Sequence, residues 1–245
     1  MISPAARLVS AVAAACLVLC APLARADEHC EPVAEQSVKN ADQSTLSVAT
    51  TCEKPGHRQY ILRALAKDGG SDRKILEVES AYAPMGSARL VDIDNDGYHE
   101  VEVRGMCGAG PNCEGELYRI DRSTGKLELF FSGGYSDLLV IDGYLVEAGR
   151  ASCCSWEYHA YRLQGRTGML DYDNMDFMVE IGADMDSEEE HAPARCTFSR
   201  SIDGESQIMR PPSGEWLRLC ELYGDYRLTT PEEASAAAAA GRAQE

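Results

Sequence analysis

The stretch "ARLVDIDNDGYHEVEVRG" (residues 88–105) places an acidic loop between two short β-rich runs. Alternation of apolar and polar side chains, as in "EVEVRG", is typical of a β-strand that buries one face. The two flanks therefore predict a pair of antiparallel strands, and the acidic residues between them predict the loop of a hairpin.

Similar β-rich runs continue along the body of the chain on both sides of this hairpin. They include "STLSVAT", "RQYILRALA", "KILEVESAY", "GELYRID", "KLELFFS", "GYLVEAG" and "WEYHAYRLQ". Turn signals such as Asp142-Gly143 and Asp203-Gly204 separate them at short intervals, and the body shows no helical period of any length. The sequence predicts an all-β fold, an antiparallel meander closed as a sandwich, small barrel or propeller-like array. We expect one domain over residues 27–228 and a helical or disordered tail over residues 229–245.

The first 26 residues have the features of a secretory signal peptide. Arg7 supplies the positive start, an apolar run follows, and Ala24-Arg25-Ala26 is a typical cleavage site. Anchoring as a lipoprotein through Cys16 is not favoured, because no leucine stands where the acylation motif requires one. The sequence therefore predicts export to the periplasm or to the medium.

The charge of the mature chain restricts its partners. Removal of Arg7 and Arg25 with the signal leaves 21 basic and 40 acidic residues, a formal charge of −19. Nucleic acids and anionic lipids bind basic surfaces, so we expect no nucleic-acid partner, and no segment predicts a membrane span. An acidic exported protein of this kind is suited to binding calcium or a basic protein.

Eight cysteines remain after cleavage, and an even number in an exported chain predicts a disulfide framework. The candidates are Cys30, Cys52, Cys107, Cys113, Cys153, Cys154, Cys196 and Cys220. By proximity along the chain, the expected pairs are Cys30–Cys52, Cys107–Cys113 and Cys196–Cys220. Cys153 and Cys154 then form a vicinal bridge or pair with other cysteines. A zinc site with His159 is less favoured, because the spacing is not that of a structural zinc motif.

The acidic loop carries the strongest functional signal in the chain. Aspartates at three alternate positions repel one another unless a cation lies between them, and Gly97 permits the sharp reversal of a short calcium loop. An EF-hand would place Glu at position 12, where this chain has Val103. A plain turn is the alternative, since Asp, Asn and Gly are common turn residues. The predicted Ca²⁺ ligands are Asp92, Asp94, Asp96, the Tyr98 carbonyl and Glu100.

A longer succession of motifs surrounds this loop between residues 89 and 163. The hairpin is followed by "ELYRIDRSTGKLELFFSGGYSDL" and by "GYLVEAGRASCCSWEYHAYRL". Together they resemble the periplasmic lysozyme-inhibitor-like immunity proteins that accompany bacterial peptidoglycan hydrolases, with an FG-GAP/VCBS-type calcium loop. The resemblance implies an all-β fold, a calcium site and a basic lysozyme or peptidoglycan hydrolase as the partner.

The segment "FSGGYSD" is the candidate partner-binding loop. Lysozyme inhibitors of several families insert a Ser-Gly loop with a nearby tyrosine into the enzyme cleft, which suggests this role for Ser132, Gly133, Gly134 and Tyr135. A glycine pair allows close backbone approach, and a rigid aromatic side chain is a good anchor. The alternative is an ordinary Gly-Gly hairpin with a tyrosine in the core.

These observations predict an exported calcium-binding protein that inhibits a cell-wall lytic enzyme. The alternative is an envelope or secreted interaction module in which the calcium loop is purely structural and the ligand is unknown. The sequence contains no G-x-S-x-G, no H-E-x-x-H and no phosphate-binding glycine loop. We therefore expect no catalytic residues and no enzyme activity.

Overall fold

The computed structural model describes residues 35–54, 57–79, 87–108, 110–164, 168–184, 187 and 192–242. Most of this part of the chain is β-strand, and the strands form three sheets that follow one another along the sequence. The predicted all-β fold is therefore confirmed. The predicted signal peptide, Cys16 and Cys30 lie outside the described residues.

Each of the first two sheets is a four-stranded antiparallel meander. The first contains β1 (Gln36–Lys39), β2 (Thr45–Lys54), β3 (His57–Leu65) and β4 (Ser71–Glu79). The second contains β5 (Ser87–Val91), β6 (Glu100–Cys107), β7 (Cys113–Ile120) and β8 (Leu127–Tyr135). Within each sheet, strands adjacent in sequence are also adjacent in space.

The third sheet has seven strands and is mixed. Its antiparallel strands are β9 (Asp137–Ile141), β10 (Tyr144–Arg150), β11 (Ser155–Arg162), β12 (Phe177–Gly182), β13 (Ala194–Ile202) and β14 (Glu205–Ile208). The last strand, β15 (Tyr226–Thr229), pairs with β13 in parallel. Asp142-Gly143 and Asp203-Gly204 form turns with positive φ at both residues, the conformation that tight hairpins favour.

The second sheet lies between the other two and is covered on both faces. Val101 and Tyr118 pack with Leu46 and Leu62 of the first sheet. On the opposite face, Phe131 and other apolar residues pack with Leu145 and Tyr161 of the third sheet. Full burial of one such side chain contributes about 1.5–3 kcal/mol. The sheets are therefore stacked through shared cores, and the small closed barrel among the predicted alternatives is wrong.

The C-terminal segment covers the outer face of the third sheet. A 3₁₀ turn buries Trp216 against that sheet, and the short helix α1 (Leu217–Glu221) that follows it buries Leu219. The sequence did not predict this helix. A second helix, α2 (Pro231–Arg242), occupies most of the predicted tail. Among the described residues, no helix has the length and apolar character needed to cross a membrane.

Two of the buried carboxylates in the second and third sheets each accept a hydrogen bond from a tyrosine. Tyr135 Oη donates to Glu102 Oε1 at 2.9 Å, and Tyr161 Oη donates to Glu147 Oε2 at 2.7 Å. His159 Nδ1 lies 3.1 Å from the same Glu147 oxygen. Burial raises the pKa of Glu147, but the His159 and Tyr161 contacts outweigh it, so the pKa is lowered overall. Glu147 is therefore held as a buried, hydrogen-bonded anion.

The segment Ser132–Tyr135 is not a turn, and the expectation of a turn at this position is wrong. Its four residues are the last four of β8, and Tyr135 is fully buried. Gly133 serves close packing instead: a Cβ there would lie 2.3 Å from Glu147 Oε1 and 2.7 Å from Phe131 Cζ. This segment therefore offers a binding partner no exposed aromatic side chain.

The two neighbouring glycines provide a matched test of this packing. We expect Gly133→Ala to lower the free energy of unfolding by about 1–3 kcal/mol, because its new methyl group would overlap buried atoms. Gly134→Ala should change it by less than about 1 kcal/mol, because a Cβ there meets nothing within 4 Å. Urea denaturation of both variants measures the difference. Equal changes in the free energy of unfolding of the two variants would contradict the close packing at Gly133.

Candidate metal centre in the β5–β6 loop

The acidic loop joins β5 to β6 and is attached to the first sheet. Val91 and Glu100 are paired across the two strands, so the loop closes immediately beyond this pair. The backbone amide of Ala41 donates to the Gly97 carbonyl at 2.9 Å, and the His99 amide donates to Asn40 Oδ1 at 2.9 Å. Strands flank the loop on both sides, so it is not an EF-hand.

The loop backbone turns its amides toward its own carboxylates. Asp92 accepts hydrogen bonds from the amides of Asp96 and Gly97, each at 3.0 Å. Asp96 accepts one from the Tyr98 amide at 2.8 Å. Asn95 and Gly97 have φ values of 57° and 83°, which the reversal of the chain requires. Asp and Gly at these positions therefore fix the shape of the loop.

Three carboxylates converge in this loop, and a fourth, Glu100, is buried beside them. One oxygen from each of Asp92, Asp94 and Asp96 lies within 4.8 Å of the others. Glu100, only 6 % exposed, accepts a hydrogen bond from the Ile93 amide at 3.3 Å. Burial, followed by the charges of the aspartates, raises the pKa of Glu100 to about 8. Burial and the neighbouring carboxylates also raise the pKa of Asp94. The site is therefore strained by like charges.

Arg122, in the β7–β8 turn, brings a positive charge to the loop. Its guanidinium group forms an ion pair with Asp96 and lies 3.5 Å from the centroid of the Tyr98 ring. The ion pair is partly exposed, and such pairs contribute at most about 1 kcal/mol. Arg122 therefore offsets only part of the repulsion among the carboxylates.

A cavity of about 660 Å³ opens beside the loop. Asp94, Asp96 and Glu100 line it together with Tyr98 and residues of the β7–β8 turn. The structure therefore brings the three predicted aspartates together and places Glu100 and Tyr98 at the same cavity. The oxygen atoms that line it are the kind of ligand that hard cations prefer.

Two contributors to the site were missing from the sequence-based prediction. Asn40 is almost 60 residues from His99, so no local sequence pattern predicts its hydrogen bond to the loop. Arg122 stands next to Asp121 in the turn "IDRSTGK", and its approach to Asp96 depends on the antiparallel pairing of β7 with β6. Both contacts arise from the tertiary arrangement.

The predicted disulfides are confirmed in part. Cys107–Cys113 and Cys196–Cys220 are bonded, as expected. Cys153 and Cys154 are exposed free thiols, so the prediction that they form disulfides is wrong for this structure. The predicted Cys30–Cys52 pair lies outside the part of the chain whose side chains are described. The two bonded pairs are compatible with export to an oxidising compartment.

The buried Glu100 predicts a specific pH dependence for the calcium-free protein. Its pKa rises from 4.5 to about 8 on folding, so the native protein holds a proton that the unfolded chain releases between these values. The free energy of unfolding should therefore fall as the pH rises through this window, with a contribution of at most ~1.4 kcal/mol per pH unit. Urea denaturation in EGTA from pH 5 to 8 measures the slope.

Two variants test this assignment. Glu100→Gln should flatten the slope, whereas Glu128→Gln, at a partly exposed residue of the same cavity, should leave it unchanged. A wild-type slope that survives in Glu100→Gln would show that another group is responsible.

Comparison with known proteins gives little further information. No protein-family model matches the chain, and no curated protein matches it. The chain is similar to a solved structure of a type IV secretion system related protein from Xanthomonas, with 17 % sequence identity and a TM-score of 0.43. The match covers 72 % of this chain and 93 % of that chain. A similarity this distant supports no functional inference, and the resemblance to lysozyme-inhibitor-like proteins stays a prediction.

Proposed function

We propose that this protein binds Ca²⁺ through Asp92, Asp94, Asp96, the Tyr98 carbonyl and Glu100. The observation that carries the proposal is the buried Glu100 carboxylate, which lines the same cavity as Asp94 and Asp96. Burial of an anion beside other anions is unfavourable, which is why Glu100 keeps a proton in the absence of metal. A cation among these oxygens would take the place of that proton and offset the repulsion among the carboxylates.

The chemistry of the ligands favours calcium over other metals. All of the proposed ligands are oxygen atoms, whereas zinc and copper sites usually include nitrogen or sulfur. Magnesium requires a tight octahedron and retains several waters, which suits an irregular hairpin loop less well. For an exported module of this kind, a Kd near ~10⁻⁴–10⁻³ M is expected.

The position of the loop suggests a structural role for the ion. Hydrogen bonds from Ala41 and to Asn40 tie the loop to the β1–β2 turn, so an ion there would fix the junction of the first two sheets. The protein would then act by binding a partner and not by catalysis. In this form it is an exported interaction module that calcium stabilises.

Thermal unfolding tests the calcium site directly. At a calcium concentration ten times the Kd, the gain in stability should be ~1.4 kcal/mol, which raises the Tm by a few degrees. The rise should occur in Ca²⁺, be smaller in Mg²⁺, and disappear in EGTA and in Asp94→Ala. Asp68→Ala, in the exposed turn after β3, is the control and should keep the full response. No calcium response in the wild type would reject the site.

We further propose that the partner is a basic cell-wall lytic enzyme, which the protein inhibits. The support is the net charge of −19 on the mature chain, since complementary charge accelerates and strengthens association with a basic enzyme. Because Tyr135 is buried, it does not serve as the aromatic anchor of that contact. The alternative remains an envelope or secreted module with an unknown ligand.

A lysis assay separates these two forms of the proposal. A two-fold molar excess of the protein should slow lysis of peptidoglycan by a basic lysozyme, and 0.5 M salt should weaken the effect because it screens the charges. Tyr135→Phe keeps the ring in the core and should inhibit as well as the wild type. Undiminished lysis at excess protein would reject inhibition and leave the interaction module.

A further inference from the structure

Cys153 and Cys154 form a pair of exposed thiols in the turn between β10 and β11. The two residues are consecutive in the chain, so their thiols start from neighbouring Cα atoms. The other cysteines whose side chains the structure describes are all disulfide-bonded. The chain therefore presents two adjacent sulfur ligands to solvent at one end of the third sheet.

Hydrogen bonds hold the backbone of this turn in place. The Arg150 guanidinium donates to the carbonyls of Ser152 at 2.9 Å and Cys153 at 2.6 Å. The Cys154 amide donates to Ser152 Oγ at 3.2 Å, and the Cys154 carbonyl accepts from the Ala183 amide at 3.2 Å. A turn held at this many points presents the two thiols with little further loss of conformational entropy.

The pair is also anchored to the second sheet. Asn112 Oδ1 accepts from the Arg150 amide at 2.8 Å, and Asn112 Nδ2 donates to the Arg150 carbonyl at 3.1 Å. Asn112 belongs to the turn that the Cys107–Cys113 disulfide closes. The thiol pair therefore stands on a framework that is fixed covalently and by hydrogen bonds.

The proton chemistry of the pair sets the condition for metal binding. The neighbouring Cys153 thiol raises the pKa of Cys154. Because only a thiolate attacks or binds a metal, the pair must lose its protons to act as a ligand. Two thiolates side by side become favourable only when a cation takes the place of their protons, and sulfur ligands prefer soft cations.

We propose that Cys153 and Cys154 bind one soft, thiophilic metal ion of the Cu(I) class through both sulfur atoms. On binding, two S–H bonds are replaced by two S–metal bonds, two protons pass to solvent, and no electron is transferred. Among the described residues, the three loop aspartates are the one group of three or more His, Cys, Asp or Glu ligands close enough to share an ion. His159 contacts Glu147, so the site is distinct from a four-ligand zinc centre.

Anaerobic titration of the full-length mature protein with Cu(I), against bathocuproine disulfonate as competing chelator, tests the proposal. The wild type should bind one equivalent, and Cys153→Ser and Cys154→Ser should each bind at least about 100-fold more weakly, because a second ligand on the same turn acts at high effective concentration. A parallel Zn(II) titration should show weaker binding, since two sulfurs leave the zinc tetrahedron incomplete.

Two controls isolate the thiols. Met106→Leu removes another exposed sulfur, and Asp94→Ala removes a carboxylate of the calcium loop; both should bind Cu(I) like the wild type. Either single cysteine variant that retains wild-type affinity would overturn the proposal. Peptide mapping that finds a Cys153–Cys154 disulfide in protein purified without reductant would also overturn it.

Discussion

Burial of the second sheet on both faces is the constraint on which the rest of the structure depends. A sheet in this position must supply apolar side chains in both directions, and Leu117 and Tyr118 do so from consecutive positions of β7. Charged groups in the same layers must then be paired, because an unpaired buried charge is very unfavourable. Glu102 meets this requirement through Arg89 and Tyr135, and Glu147 meets it through His159 and Tyr161.

The local patterns in the sequence were sufficient to predict the strands but not their stacking. Period-two runs and Asp-Gly turns are short-range signals, and Asp142-Gly143 and Asp203-Gly204 turn where they were expected. Gly133-Gly134 carries the same signal and yet lies within a strand. Gly133 packs closely against the Glu147 side chain of a different sheet, and a local pattern contains no information about that neighbour.

The acidic loop shows the same division between local and distant determinants. The spacing of Asp92, Asp94 and Asp96 predicted their convergence, because alternate side chains turn inward around a glycine-assisted reversal. Burial of Glu100 and the Asn40 contact depend on how the sheets stack, and the approach of Arg122 depends on the pairing of β6 with β7. These tertiary features turn an ordinary acidic turn into a site where a cation would relieve an electrostatic strain.

The passage from the second sheet to the third has a mechanical consequence. β8 ends at Tyr135 and β9 begins at Asp137, so Ser136 alone separates the two sheets along the chain. Arg104 of β6 donates to the carbonyls of both Tyr135 and Ser136, which fastens this bend to the middle of the second sheet. Because a single residue joins them, neither sheet can move far relative to the other. The two sheets should therefore behave as one cooperative unit, with the first sheet joined to it through its packing and the acidic loop.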